Sequence, residues 1–157
     1  MDFLMDEIDK KILRSLQQDS SLSISEIARR VGLSSTPCWR RIQNLEAKGI
    51  IKARVALLDP GKLNLGTTVF VAVRTNQHNQ EWLERFKAAV ADIDEVVEFH
   101  RMSGDVDYLL KVVVPDIPAY DAIYKRLIRK IELSDVSSSF SMEMIKSSTV
   151  LPLDYVK

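Results

Sequence analysis

Val31-Gly32-Leu33-Ser34-Ser35-Thr36-Pro37-Cys38-Trp39-Arg40-Arg41-Ile42-Gln43-Asn44-Leu45-Glu46-Ala47-Lys48-Gly49 is the stretch that decides the architecture of the first third of the chain. Gly32 sits where a helix commonly ends on a left-handed residue. Leu33-Ser34-Ser35 then reads as a tight turn. Thr36 as N-cap and Pro37 as first helical residue predict a helix running to Lys48 and stopped by Gly49. At roughly 100° per residue, Cys38, Ile42 and Leu45 fall within about 60° of one another and form a packing stripe. Thr36, Arg40, Gln43, Asn44 and Ala47 gather on the opposite side.

Working outward toward the N-terminus, Ser23-Ile24-Ser25-Glu26 has the S-x-x-E form of a capping box, and Ile27, Ala28 and Val31 continue a short helix. Before it, Ile8, Ile12 and Leu16 recur at i, i+4, i+8, with Leu13 widening the stripe, until Asp19-Ser20-Ser21 breaks the helix. Two short helices joined by a Gly-containing turn make a helix-turn-helix, whose second helix enters the DNA major groove. Arg, Gln, Asn and Thr bond base edges or phosphates, and Ala47 is small enough to let the helix approach. Arg41, at the flank, suits a phosphate better than a base. Arg54, on a following strand, extends this surface as part of a wing.

Charge agrees with that reading. The 157 residues carry 22 Lys+Arg and 22 Asp+Glu, for a net charge of zero. The balance is uneven: residues 23–54 hold seven basic side chains against two acidic ones, a local +5. Phosphate binding needs such a local basic surface. The competing reading of the third helix is a solvated polar face on a three-helix bundle. Trp39 either contacts a DNA sugar or anchors the helix by packing, and packing is the assignment made from sequence. Cys38 reads as a small core residue, with a redox-sensing thiol as the alternative.

Downstream of residue 50 the period changes. Ile51 to Leu58 reads as a strand or short hairpin, and Asp59 to Gly66 as a linker. Then follow strand 68–75, helix 80–91, strand 96–102, strand 106–114, helix 117–129 and strand 136–145, with Ser103-Gly104-Asp105 as a tight turn. The helices carry apolar faces of Trp82, Phe86 and Val90, and of Tyr120, Ile123, Tyr124 and Leu127. The order βαββαβ is the ferredoxin-like split-βαβ arrangement. The expected class is therefore α+β: a three-helix winged helix-turn-helix domain over residues 1–58, a linker over 59–66, and a ferredoxin-like domain over 67–157. An oligomer contact is expected through the strand around Val69, Val71 and Val73 together with the uncovered sheet face.

Several classes are excluded or disfavoured. No apolar run approaches the roughly 18 residues of a membrane span. The acidic start lacks the basic n-region of a secretory signal, and one cysteine makes no internal disulfide, so a cytoplasmic protein is expected. His78 and His100 give no nucleophile–base pair with a third member, and no phosphate-binding glycine loop appears. The expectation is a non-enzyme with no catalytic residues, no metal and no cofactor. His100, Asp105 and Asp107 have metal-ligating chemistry, but His100 stands on another strand at a register the sequence does not fix.

The helix-turn-helix stretch Val31 to Ile42, continued by Leu45-Glu46-Ala47-Lys48-Gly49-Ile50-Ile51, resembles the DNA-binding domain of the Lrp/AsnC (feast/famine) bacterial transcription regulators, as does Ile8-Asp9-Lys10-Lys11-Ile12-Leu13. Ser103-Gly104-Asp105-Val106-Asp107-Tyr108-Leu109-Leu110 is similar to that family's turn signature, and Met144 to Pro152 to its ending. The resemblance spans essentially the whole chain. It implies a regulator that reads double-stranded DNA, assembles into homodimers and higher homo-oligomers, and responds to a small amino-acid effector. Phe99-His100-Arg101-Met102, Tyr120-Asp121 with Tyr124-Lys125-Arg126-Leu127, and Leu133 to Phe140 look like a cysteine-responsive subgroup. The candidate DNA contacts are Ser35, Thr36, Pro37, Arg40, Arg41, Gln43, Asn44 and Arg54. The candidate effector contacts are Gly104, Asp105 and Asp107, with Ser137, Ser138 and Ser139. At the turn, Gly104 lets a backbone amide approach a ligand carboxylate while a carboxylate pairs with its ammonium. The plainer reading is a hairpin turn. The alternative function is a metabolite-binding oligomeric module without DNA readout.

Overall fold

The computed structural model describes residues 5–156, and its chain divides into two compact units. The first comprises the residues up to Leu57 together with those from Ile145 onward; the second runs Leu58–Met144.

In the first unit, α1 (Glu7–Gln18), α2 (Ile24–Val31) and α3 (Ser35–Ala47) pack through Ile12, Leu13, Ile27, Ala28, Val31, Cys38, Ile42 and Leu45. These are the residues that the helical spacing assigns to the inner faces. The predicted capping box of α2 is formed, with Ser23 and Glu26 each satisfying the other's backbone amide. Gly32 caps α2 in the left-handed region at φ 74°, where a Cβ would be strained. The start of α3 differs from expectation. Its N-cap is Ser34, so Thr36 and Pro37 are the second and third helical residues. Pro37 is tolerated there because the first four amides of a helix have no intrahelical acceptor.

Residues 51–58, expected as a strand or wing hairpin, form no strand. Val55, Leu57 and Leu58 stand exposed, since a single extended segment with no hydrogen-bonding neighbour gains nothing to offset its ordering. The linker contains one 3-10 turn, Pro60–Leu63.

The second unit contains β1 (Thr67–Arg74), α4 (Gln80–Ala91), β2 (Val96–Arg101), β3 (Tyr108–Val114), α5 (Ile117–Lys130) and β4 (Asp135–Phe140). The sheet is antiparallel with order β2-β3-β1-β4, the ferredoxin-like topology expected. Val69, Val71 and Val73 of β1 and Tyr108, Leu110, Val112 and Val114 of β3 are buried with Trp82, Phe86, Tyr120, Ile123 and Leu127 from the helices. Each such side chain, fully buried, contributes about 1.5–3 kcal/mol. The expected oligomer contact through Val69, Val71 and Val73 is thereby corrected. Those side chains lie in the chain's own core, on a central strand, and alternation turns Phe70, Ala72, Leu109, Lys111 and Val113 to the other face.

The last strand ends at Phe140, short of the expected residue 145. Beyond it the chain rejoins the helical unit. Leu151 exchanges two hydrogen bonds with the Gln17 amide (N–H to Oε1 2.7 Å, Nε2–H to carbonyl 3.2 Å), Asp154 pairs with Arg14 at 3.1 Å, and Leu153 packs on the helical core. The final segment thus departs from the expected 67–157 extent of the second domain.

Candidate nucleic-acid interface and effector region

The outward face of α3 is assembled by burial of its opposite side. Cys38, Ile42 and Leu45 are at most 1% exposed, which leaves Ser35, Thr36, Pro37, Arg40, Gln43, Asn44 and Ala47 exposed together. Arg40 makes no hydrogen bond or ion pair with the described residues. No side chain caps the N-terminus of α3, in contrast to α1, α2, α4 and α5. Its first amides are therefore open to an external acceptor.

Three of the eight candidates, Arg41, Gln43 and Arg54, are engaged by other side chains. Arg41 Nη1 donates to Asp6 Oδ2 at 2.7 Å and to Asp9 Oδ1 at 2.8 Å. The remaining carboxylate oxygens close the capping box of α1: Asp6 Oδ1 accepts from the Asp9 amide at 2.8 Å, and Asp9 Oδ2 from the Asp6 amide at 3.3 Å. One guanidinium nitrogen thus fastens α3 to the start of α1, a structural engagement that stands beside the phosphate contact expected of Arg41. The Asp9 amide, then Arg41, hold the Asp6 carboxyl below the usual carboxylate range, and the two aspartates raise Arg41 further. Arg54 donates to Glu46 Oε1 at 2.9 Å, and Gln43 to Glu46 Oε2 at 2.9 Å. Arg54 is on no wing strand.

Trp39, assigned to packing from sequence, is 50% exposed and lies outside the helical core. The Cys38 thiol is buried, and burial pushes its pKa up, which suits a core residue and opposes the reactive-thiol alternative.

In the second unit the effector candidates fall into two groups. Gly104 adopts φ 114° in the β2–β3 turn, a backbone that favours glycine. The Asp105 carbonyl accepts from Arg74 Nε at 2.7 Å, and Arg74 Nη1 also lies 3.6 Å from Asp135 Oδ2 at the start of β4. Arg74, which sequence reasoning missed, therefore ties the turn to the last strand. Asp107 Oδ2 accepts the Thr75 amide at 2.8 Å, and its other oxygen lies 3.9 Å from His78 Nδ1. The three serines separate by strand alternation. Ser137 and Ser139 are exposed, whereas the Ser138 hydroxyl meets the Tyr120 hydroxyl beneath α5. They do not form one patch. His100 bonds Glu98, two residues before it on β2, at 3.0 Å.

A cavity of about 150 Å³ opens beside the turn, lined by His78, Asn79, Gln80, Leu83, Arg101, Met102, Asp107 and Tyr108. Of the six effector candidates only Asp107 lines it. His78 and Arg101 were visible as charged or titratable residues, but only the fold places them beside Asp107.

A helical unit offering one polar helix face, followed by a ferredoxin-like unit with a polar cavity, defines a DNA-binding protein with a ligand-binding domain. Comparison with known proteins agrees. Residues 5–52 match a winged helix-turn-helix DNA-binding family, and residues 68–151 match the Lrp/AsnC ligand binding domain. The DNA-binding transcriptional activator DecR of Escherichia coli is 49% identical over 152 residues, 96% of this chain and 100% of that protein. An AsnC family transcriptional regulator from Agrobacterium tumefaciens superposes with a TM-score of 0.94 at 63% identity, over 98% of this chain and 100% of that one. A transcriptional regulator from Neisseria meningitidis, solved as an L-Met complex, superposes with a TM-score of 0.92 at 35% identity, over 98% and 99%. The chain belongs to the Lrp/AsnC family of DNA-binding transcription regulators. Among the described residues no helix is long and apolar enough to cross a membrane.

Proposed function

We propose that this regulator works as a cytoplasmic homo-oligomer that seats α3 in the major groove and changes its assembly or DNA affinity when a small amino acid binds the second unit. The observation that carries the DNA reading is the partition of α3 between buried Cys38, Ile42 and Leu45 and an exposed face of Thr36, Arg40, Gln43 and Asn44. A duplex needs such a face, and Arg40 is not occupied by another side chain of the described residues. Ser35 and Thr36 at the open helix start suit a phosphate.

For the effector, the cavity beside the Gly104 turn supplies both charges that an amino acid needs. Arg101 suits an α-carboxylate and Asp107 an α-ammonium. The uncovered sheet face, with Phe70, Ala72, Leu109 and Val113, supports association of copies through that surface. Cysteine heads the effectors to be tested, on the subgroup resemblance. The relatives act as regulators, and the reading here is of a non-enzyme.

Titrating a duplex selected from a random library against the full chain, at two salt concentrations and with random competitor, tests this reading. Preference for the selected duplex, with affinity falling steeply as salt rises, is expected. Absence of preference at both salts would leave the metabolite-binding module as the better account. A thermal-shift series with the twenty amino acids, followed by the same titration with any hit, tests the effector.

A further inference from the structure

Trp39 is the large apolar side chain that the helical unit leaves in solvent on α3. It is 50% exposed, belongs to no core cluster, and makes no ring contact or hydrogen bond among the described residues. The other tryptophan is its opposite: Trp82 is fully buried in the second unit, with its Nε1–H donated to the Glu132 carbonyl at 3.1 Å. Trp39 lies one residue before Arg40 and one turn before Gln43, on the flank of the polar face. On the same flank the Gln43 amide donates to Glu46, which also receives Arg54, so these polar groups are paired with one another. The indole is thus half-exposed on the flank of the face that carries Arg40, in the N-terminal half of a helix whose N-terminal residues meet base edges in this motif.

In the major groove the apolar feature of a base edge is the thymine C5-methyl group, and apolar side chains read it by contact. We propose that Trp39 is a specificity-determining residue, its indole packing on a thymine methyl at the border of the bases that Arg40 reaches. The assignment rests on the placement of α3 in the groove, and the experiment separates the two. It explains why a large aromatic is retained in solvent on a face otherwise polar or small.

The test uses the full chain and a duplex selected from a random library, each thymine replaced in turn by deoxyuridine, which removes only the methyl. Wild type should lose about fivefold in affinity at one position per half-site, at the low end of the usual penalty for a mismatched pair. W39A should bind the parent duplex about fivefold more weakly and show no further loss at that position, while W39F keeps part of the sensitivity. Emission from Trp39 should change on binding, and W39F should abolish that change because Trp82 is sealed in the other unit. A wild type indifferent to every thymine-to-deoxyuridine change, or a W39A protein as sensitive as wild type, overturns the proposal. If R40A loses base discrimination while these Trp39 results fail, the docking of α3 stands and only the Trp39 assignment falls. If R40A and W39A both bind like wild type, the docking falls with it. The wild-type duplex series and W39F keep the question decidable even if W39A is unstable.

Discussion

Replacing Arg41 with alanine separates a structural clamp from a phosphate contact. The clamp predicts lost stability. Asp9 is only 8% exposed at its side chain, Asp6 50% and Arg41 33%. Removing one partner of a fully buried pair costs about 3–5 kcal/mol, and partial solvent access here reduces that to roughly 2 kcal/mol. For a unit of this size that is a fall of roughly 10 °C in Tm. The Asp6 carboxyl is held low by the Asp9 amide first and by Arg41 second, so its folded pKa lies below its unfolded value. Such a group stabilises fully above its unfolded pKa, about 3.9, and the contribution fades as pH falls through the folded value. The stability gap between wild type and R41A should therefore be constant from neutral pH down to about pH 4 and shrink below it. The DNA assay gives the independent arm. Losing a phosphate contact lowers the slope of log K against log salt by about 0.9, whereas losing a clamp leaves it unchanged. Urea unfolding and a salt series on the same R41A preparation suffice. Unchanged stability with a slope reduced by about 0.9 would refute the clamp.

Three further outcomes follow from the same geometry. Deleting the chain after Val150 removes the Gln17–Leu151 pair and the Leu153 contact, and should lower the helical unit's stability by about 1–3 kcal/mol in chemical denaturation. Gly32→Ala forces a Cβ into the left-handed region with open space around it, so the cost is conformational, about 1 kcal/mol by urea titration. The Cys38 thiol, buried and raised in pKa, should react with a disulfide reagent at neutral pH far more slowly than in urea, and rates equal in the two conditions would contradict its burial.

Much of this architecture is legible in sequence because it is written in local periodicity. The stripes Ile12/Leu13, Ile27/Val31 and Cys38/Ile42/Leu45 gave the helical core, and alternation gave the strands. What escaped depends on partners distant in sequence. Arg41 sits at the edge of the α3 stripe on a helical wheel, and only the packing of α1 against α3 brings Asp6 and Asp9 to it. Arg74 likewise reads as a strand end until the fold brings Asp105 and Asp135 to it. The return of residues 151–154 to α1 has no periodic signature. The α3 cap was misplaced by two residues because Ser34, Ser35 and Thr36 are all good cap types and Pro37 is tolerated anywhere in the first turn. The division of Ser137, Ser138 and Ser139 between two faces was available from the strand period itself.

The central claim is that the exposed face of α3 reads bases, and Arg40 is where it is most open to test. The decisive quantity is the ratio of affinities for the selected duplex and for a random one, measured at one salt concentration for wild type and R40A. A base-reading Arg40 predicts that the ratio falls by about tenfold while random-duplex binding drops far less. An unchanged ratio in a folded R40A protein would contradict it.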